Sequence, residues 1–175
     1  MNLKAKKVFY LSLIVFFLVT IVTSIYYLLG GFKEVEVYQL GPVDRTVFGK
    51  FFDDPRSDAY YEHGVLCRKL IEEQQISGTL AVIFFLNDSS DQREFIGISI
   101  EEEIAEVPEG FEPLDFSSDQ RFAIFLDMHP LVQPRPKKVE ELLQDKAEEA
   151  GYELEDFYFT LIYPDNSRSV EWWVK

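Results

Sequence analysis

The sequence has few residues of the types that build disulfides or metal sites. Cys67 is the single cysteine, so no intrachain disulfide can form. It falls within an apolar helical stripe, where a buried and unreactive thiol is the simplest interpretation. The two histidines, His63 and His129, have no C-x-x-C or H-E-x-x-H pattern beside them. We therefore expect no metal site, and no motif indicates a cofactor.

Basic residues are scarce beyond the first thirty positions. The whole chain has 17 Lys and Arg against 31 Asp and Glu, a formal net charge of −14. Residues 1–31 contain three lysines and no acid, so residues 32–175 hold 14 basic against 31 acidic residues and carry −17. A domain with that charge repels phosphate backbones, and we expect no binding to nucleic acid.

Catalytic motifs are also missing. The sequence has no Ser/His/Asp order that stands out and no Gly-rich phosphate loop. Carboxylates are abundant, but Glu101–Glu103 and Glu140–Glu141 fall in connectors or on helix surfaces. A solvated charged face is the expected role for such runs, rather than an acid–base pair.

One long hydrophobic run is present, at the amino terminus. Residues 8–29 contain no charged side chain, and a membrane-spanning helix needs about 20 apolar residues. A cleaved secretory signal has a shorter run of about 7–15 residues that ends at small residues, whereas Tyr26 and Tyr27 stand near the end of this one. We predict an uncleaved transmembrane helix over residues 8–30 that attaches the protein to a lipid bilayer.

The charges beside this run predict its orientation. Lys4, Lys6 and Lys7 precede it, and positive residues are enriched on the cytoplasmic side of membrane helices. We therefore expect a single-pass membrane protein in which residues 1–7 are cytoplasmic and the remaining domain is extracytoplasmic.

The rest of the chain alternates extended and helical patterns. Two segments have helical apolar spacing, residues 57–75 behind the N-cap Ser57 and a second helix from Pro136 to its end at Gly151. Short apolar or alternating runs bounded by turn residues are typical of strands. They occur at residues 35–40, 46–52, 79–86, 95–100, 111–116, 121–128, 157–163 and 169–174.

The order strand–helix–strand–strand thus occurs twice, with a period of roughly 80 residues. We predict an α+β domain over residues 34–175, with a first repeat at 34–101 and a second at 111–175. The duplicated strand–helix–strand–strand units form antiparallel sheets with two helices, preceded by the one transmembrane helix. A crevice between paired units is a natural place for a ligand.

This order of elements, together with short motifs, resembles the GyrI-like small-molecule-binding domain family. That family is related to the effector domains of multidrug-sensing transcription activators. The resemblance covers residues 35–175 and therefore nearly the whole domain. The matching motifs are Gly41–Val43 with Val47–Gly49, Gln92–Ile98, Leu161–Asn166 and Val170–Val174.

With its amino-terminal helix, the chain resembles a membrane-anchored branch that includes a eukaryotic receptor for autophagy of the endoplasmic reticulum. That receptor has an acidic tail after its domain, which is not found before the end at Lys175, so we do not carry its role over. Transcription activation is not carried over either, because there is no helix-turn-helix segment.

In multidrug-binding members a pocket glutamate stands two residues before a tyrosine. Leu161 stands there here, before Tyr163, so recognition of a cationic drug is not implied.

Aromatic residues are dense in the second repeat, where they either fill the core or form a cage for a flat molecule. Trp172 and Trp173 are adjacent on one strand and must point to opposite faces. By the family match we expect Trp173 in the crevice, together with Glu171. The candidate ligand-binding residues are Phe48, Phe125, Tyr158, Tyr163, Glu171 and Trp173.

Three functions stay open from the sequence. The first is a membrane-anchored module that binds a small hydrophobic or amphipathic molecule, or a partner's peptide, in the cleft between the repeats. The second is a hydrolase of reactive xenobiotics, as some relatives are, with Glu171 and Trp173 as the catalytic candidates. The third is a scaffold whose acidic surface docks a basic partner protein. Binding without catalysis is the favoured interpretation.

Overall fold

A computed structural model describes residues 3–86, 93–100 and 107–175. The predicted turn after the third strand and the acidic connector with Glu101–Glu103 lie outside the described residues. The helices are α1 (Leu3–Leu28), α2 (Asp58–Glu72) and α3 (Pro136–Ala150), with a 3₁₀ turn at Pro130–Val132. The strands are β1 (Val37–Leu40), β2 (Val43–Phe52), β3 (Gly78–Phe85), β4 (Arg93–Ile100), β5 (Glu112–Ser118), β6 (Arg121–Leu126), β7 (Leu154–Ile162) and β8 (Arg168–Val174).

The chain divides into two compact units, and the smaller one contains α1. This unit combines residues 1–34 with residues 127–133. The stretch Phe9–Leu28 has a mean hydropathy of 2.3 and its side chains are exposed, so by length and composition it could cross a membrane. After the helix, Lys33 Nζ donates to Asp127 Oδ2 at 2.6 Å and joins the two segments of the unit.

The larger unit, residues 35–126 with 134–175, contains all eight described strands in one antiparallel sheet. The strand order is β1-β6-β8-β7-β3-β4-β2-β5. β2, α2, β3 and β4 mirror β6, α3, β7 and β8, and β3 pairs with β7 at the centre. β1 pairs with β6 of the second repeat, while β5 pairs with β2 of the first. The predicted α+β class and duplicated units are confirmed, and the strands of both repeats join in one continuous sheet.

Helices α2 and α3 cover one face of this sheet. α2 packs on β3 and β4, and α3 packs on β6 and β1. Ser57 begins α2 as predicted, since its Oγ accepts from Tyr60 N at 3.2 Å. Cys67 is fully buried in the core under α2, and burial raises the pKa of its thiol to about 12. The thiol is therefore protonated and inert, which confirms the structural interpretation.

The opposite face, which we call the inner face, is buried because the sheet curls. It carries the alternate side chains, including Val47, Phe95 and Phe159, all of them buried. Phe116 on β5 packs against Trp173 on β8 with ring centroids 6.0 Å apart. Five strand steps separate β5 from β8, so a flat sheet would place them about 24 Å apart. The β5 end of the sheet therefore folds over β7 and β8.

A glycine pair lies on two strands of the half of the sheet that folds over. Gly49 of β2 and Gly97 of β4 face each other across the strand pair. A Cβ atom at Gly49 would lie 2.7 Å from the Cα atom of Gly97 and 2.3 Å from the backbone oxygen of Ile96. Glycine permits this close approach of two backbones, which allows the sheet to bend.

Candidate functional site

Three charged side chains meet on the inner face. Arg45 of β2 donates from Nη1 to Glu171 Oε2 at 2.9 Å and from Nη2 to Oε1 at 3.4 Å. Arg121 of β6 places its Nε 3.1 Å from Glu171 Oε2. The side chains of Arg45, Arg121 and Glu171 are 11%, 16% and 4% exposed. We call this group the ion triad.

Strand pairing and sheet curvature bring the triad together. Glu171 of β8 lies opposite Ala123 of β6 on one side and Phe159 of β7 on the other. Arg121 lies opposite Trp173, two residue pairs further along β6 and β8 and therefore on the same face. Arg45 lies four strand steps from β8, so it reaches Glu171 only across the hollow of the curled sheet.

The triad has more positive than negative charge. Two guanidinium groups share one carboxylate, so the group carries a net charge of +1. Ser169 Oγ adds a neutral donor, 3.4 Å from Glu171 Oε1. Both carboxylate oxygens of Glu171 are therefore engaged, while the two arginines have N–H groups to spare.

Aromatic rings form the wall behind Arg45. Its guanidinium carbon lies 5.2 Å from the ring centroid of Phe159 and 5.6 Å from that of Trp173. These two rings stack on each other at 4.7 Å with an interplanar angle of 28°. Such cation–π contacts contribute about 0.5–2 kcal/mol each, more when they are desolvated, so the wall holds the arginine in place.

Two buried donors on this face lack an acceptor. Among the described residues, Trp173 Nε1 has no hydrogen-bond partner. Arg121 Nε is at ion-pair distance from Glu171, yet its N–H makes no hydrogen bond of acceptable geometry in the described part of the chain. An unsatisfied buried donor costs about 1–3 kcal/mol. The inner face thus has an excess of donors as well as of positive charge.

The inner face is open at its β1 and β6 end. Phe125 and Tyr38 are 45% and 44% exposed there, and their rings lie 5.8 Å apart. Tyr38, Ala123 and Glu171 form one cross-strand row, because Ala123 is the partner of both others. We call the two rings the aromatic shelf. Tyr38 lies two strand spacings, about 10 Å, from Glu171, with the fully buried Ala123 in the row between them. Phe125 is on the same strand as Arg121 and lies opposite Ser169 of β8.

Four of the six sequence-predicted residues share the inner face. Glu171 belongs to the triad, Trp173 to the wall and Phe125 to the shelf, and Tyr163 packs against the buried inner cluster. Trp173 is fully buried, so it supports the triad from behind rather than lining an open crevice.

The two other predicted residues lie on the opposite face. Phe48 is in the core under α2. Tyr158 donates from Oη to Glu140 Oε1 of α3 at 3.0 Å, and its ring stacks on that of Phe84. The sheet itself separates both from Glu171, because each stands next to an inner-face residue in its strand and neighbours alternate. They do not belong to the same site.

Sequence reasoning missed Arg45 and Arg121. A signal for Arg45 exists, since it stands between Val43 and Val47 at a spacing of two residues, where an apolar residue is expected on a half-buried strand. Arg121 begins its strand, and a charged residue at a strand end carries no such signal.

A second polar cluster lies on the helix-covered face. Tyr60 Oη donates to Glu94 Oε2 at 2.8 Å, and Glu94 is buried. Burial raises the pKa of the Glu94 carboxyl above its usual value, although the bond from Tyr60 partly offsets this. The pKa of Tyr60 is raised as well, first by burial and then by Glu94. These groups are neutral or anionic, in contrast to the triad.

Comparisons with known proteins bear on the fold. No protein-family model matches the sequence, and no curated protein matches it. Among solved structures, the EcmrR C-terminal domain matches with a TM-score of 0.54 at 9% identity, over 81% of this chain and 97% of that one. A hydrolase from Listeria innocua matches with a TM-score of 0.52 at 8% identity, over 82% of this chain and 92% of that one. At these identities the likenesses are of fold alone.

Proposed function

We propose that the protein is a membrane-anchored GyrI-like domain that binds a small hydrophobic or amphipathic molecule at the inner face of its sheet. The observation that carries this proposal is the ion triad within an aromatic face that neither α2 nor α3 covers. Burying charges is costly, and apolar residues of similar size give equal or better stability. Three buried charges on a face of rings are therefore better explained by recognition than by stability.

The aromatic shelf provides the place where a ligand makes its first contacts. Phe125 and Tyr38 offer exposed apolar area, and the partly exposed edges of Arg45 and Arg121 offer polar contacts beyond Ala123. The fully buried rings of Phe159 and Trp173 hold Arg45 from behind. Binding sites commonly combine apolar lining with a few positioned polar groups.

A hydrolytic role is less favoured by the same geometry. One fold neighbour is described as a hydrolase, and Glu171 is the carboxylate of this site. A general base needs an oxygen within reach of the proton it removes. Both oxygens of Glu171 already accept hydrogen bonds from Arg45, and Arg121 Nε lies 3.1 Å from Oε2, so neither oxygen is directed at a substrate proton.

A thermal-shift screen of hydrophobic compounds tests binding on the full-length protein in phosphatidylcholine nanodiscs. A ligand at about 100 times its dissociation constant adds about 2.7 kcal/mol to stability, which raises the melting temperature. The variant Phe125→Ser removes half of the shelf and is expected to reduce the response. Tyr61→Ser is the matched control, since Tyr61 is an exposed aromatic residue on α2. Absence of any shift, or an equal response in Phe125→Ser, would contradict the proposal.

We also propose that α1 is an uncleaved anchor with its amino terminus in the cytoplasm. Its apolar length supports a membrane span, and the three preceding lysines support this orientation. A topology reporter fused after Lys175 tests both points. Reporter activity on the extracytoplasmic side, in the membrane fraction, is expected. Activity confined to the cytoplasm would reverse the orientation, and release of the domain into the soluble fraction would indicate cleavage.

A further inference from the structure

The charge of the ion triad restricts what the site can bind. Arg45 and Arg121 bring two positive charges and Glu171 brings one negative charge, all three largely buried. Arg121 also donates from Nη1 to the backbone oxygen of Gly41 at 2.6 Å, which holds the side chain without neutralising it. One positive charge is therefore left without a counter-charge within the triad.

The hydrogen-bonding groups of the site, like its charge, restrict what it can bind. Trp173 Nε1 and Arg121 Nε are both buried donors without an acceptor among the residues that the structure describes. Both carboxylate oxygens of Glu171 already accept hydrogen bonds from Arg45. The group therefore lacks acceptors, and a ligand that brings acceptor oxygens would satisfy it.

The aromatic shelf favours a ligand that also has an apolar part. Phe125 and Tyr38 are half-exposed rings on the same face as the triad. A flat apolar body on the shelf can direct a polar end toward Arg121, which stands on the same strand as Phe125 and on the same face. The surface thus has aromatic rings at one end, where Tyr38 Oη donates to Glu36 Oε2 at 2.7 Å, and the net positive triad at the other.

We infer that the ligand of the inner face is an amphipathic anion, with an aromatic or aliphatic body on the Phe125–Tyr38 shelf and a carboxylate or similar acidic group at Arg45 and Arg121. This inference rests on the proposed binding function and adds the charge of the ligand. Guanidinium groups match the planar, two-oxygen geometry of a carboxylate. A cationic ligand would meet an excess positive charge and would bring no acceptor oxygen to the arginines.

Three probes that share a naphthyl body and carry an anionic, a neutral or a cationic polar group test the inference. They are 2-naphthoate, 2-naphthalenemethanol and (2-naphthylmethyl)trimethylammonium, titrated by calorimetry into full-length protein in phosphatidylcholine nanodiscs, with empty nanodiscs subtracted. The anion is expected to bind about tenfold tighter than the alcohol, since hydrogen bonds to charged groups exceed neutral ones by about that much. The cation is expected to bind more weakly than the alcohol.

Two variants with opposite expected effects on the affinity for 2-naphthoate test whether the probe binds at the ion triad. Arg121→Met removes one positive charge and should weaken 2-naphthoate about tenfold while leaving the alcohol nearly unchanged. Glu171→Gln raises the triad to a charge of +2 and should tighten 2-naphthoate several-fold. Arg93→Met is the matched control, because Arg93 of β4 makes an exposed ion pair with Asp53 and lies over the ring of Phe51 rather than pairing with Glu171. Melting curves identify any variant that fails to fold. The comparison of the three probes on the wild-type protein does not depend on the variants.

The outcomes separate this inference from the function on which it rests. Tightest binding by the cation or the alcohol overturns the anionic ligand but leaves binding at this face intact. Anion binding that neither Arg121→Met nor Glu171→Gln alters places the ligand elsewhere and also overturns the inference. Failure of all three probes to bind at millimolar concentration contradicts the proposed function itself.

Discussion

The two faces of the sheet are both buried, but for different reasons and with opposite polar chemistry. The helix-covered face is shielded by α2 and α3, and its described polar pairs are tyrosine–carboxylate contacts, Tyr60 with Glu94 and Tyr158 with Glu140. The inner face is shielded by the curl of the sheet and carries the net positive ion triad. A helix-covered face serves packing, whereas a hollow formed by curvature can also hold polar groups for recognition.

We expect the ion triad to give the fold less stability than apolar side chains would give at the same place. Helices could have covered the inner face with apolar side chains, as they cover the opposite face with Val139 and Leu143 of α3. Instead, three charges are buried among the rings of the inner cluster. Their mutual attraction offsets part of the desolvation cost, but apolar replacements of similar volume are often neutral or stabilising.

The largest expected effect comes from breaking the triad. Glu171→Leu leaves two arginines without their carboxylate and should lower the free energy of unfolding by about 3–5 kcal/mol, as does loss of one partner of a buried ion pair. The triple variant with Arg45→Met, Arg121→Met and Glu171→Leu should recover most of that loss and bind no ligand. Urea denaturation of the full-length protein in nanodiscs measures both.

The single and triple variants together distinguish a stabilising role of the ion triad from a role in recognition. If the triple variant is as unstable as Glu171→Leu, the triad contributes to stability in its own right and the argument for recognition is lost. Arg93→Met again serves as the control, because its ion pair with Asp53 is exposed and such pairs contribute about 0–1 kcal/mol.

A smaller effect is expected on the helix-covered face, from Glu94. Because the pKa of this carboxyl is raised in the folded protein, the folded state binds more protons than the unfolded state between the two pKa values. Stability should therefore fall as pH rises from the ordinary carboxyl pKa of about 4.3 through the raised folded value. Glu94→Gln removes this dependence.

The measurement is the free energy of unfolding of wild type and Glu94→Gln across pH 4–8. The two curves are expected to separate as pH rises, with Glu94→Gln the more stable at neutral pH. His63 also makes stability depend on pH, in the opposite direction, because burial lowers its pKa. That contribution is present in both proteins, so the difference between the two curves reports Glu94 alone. Parallel curves would show that the carboxyl is as well solvated in the fold as in the unfolded chain.

Local sequence patterns predicted the elements well, with errors at their ends. The strand predicted at residues 157–163 spans Leu154–Ile162, and its pairing with β8 shifts register between Leu154 and Tyr158. Such an irregularity depends on the neighbouring strand and leaves no periodic signal in the strand itself. The helices began and ended close to their predicted caps, because capping is a local interaction.

The candidate site was predicted only in part. Glu171 and Trp173 stand two residues apart on one strand, so their common face follows from alternation alone. Phe48 and Tyr158 were assigned to the same crevice but lie on the other face. Whether residues of two different strands share a face depends on register, and register is set by pairing rather than by either strand.

The sequence alone determined the apolar amino-terminal run, the duplicated order of strands and helices and the acidity of the domain, since each follows from composition or local spacing. Only the tertiary structure decided that Arg45 meets Glu171, 126 residues away in the chain. That contact needs the three strands between β8 and β2, namely β7, β3 and β4, to pair in register and a sheet that curls until β2 faces β8. Curvature is a property of the assembled sheet, and the ion triad exists because of it.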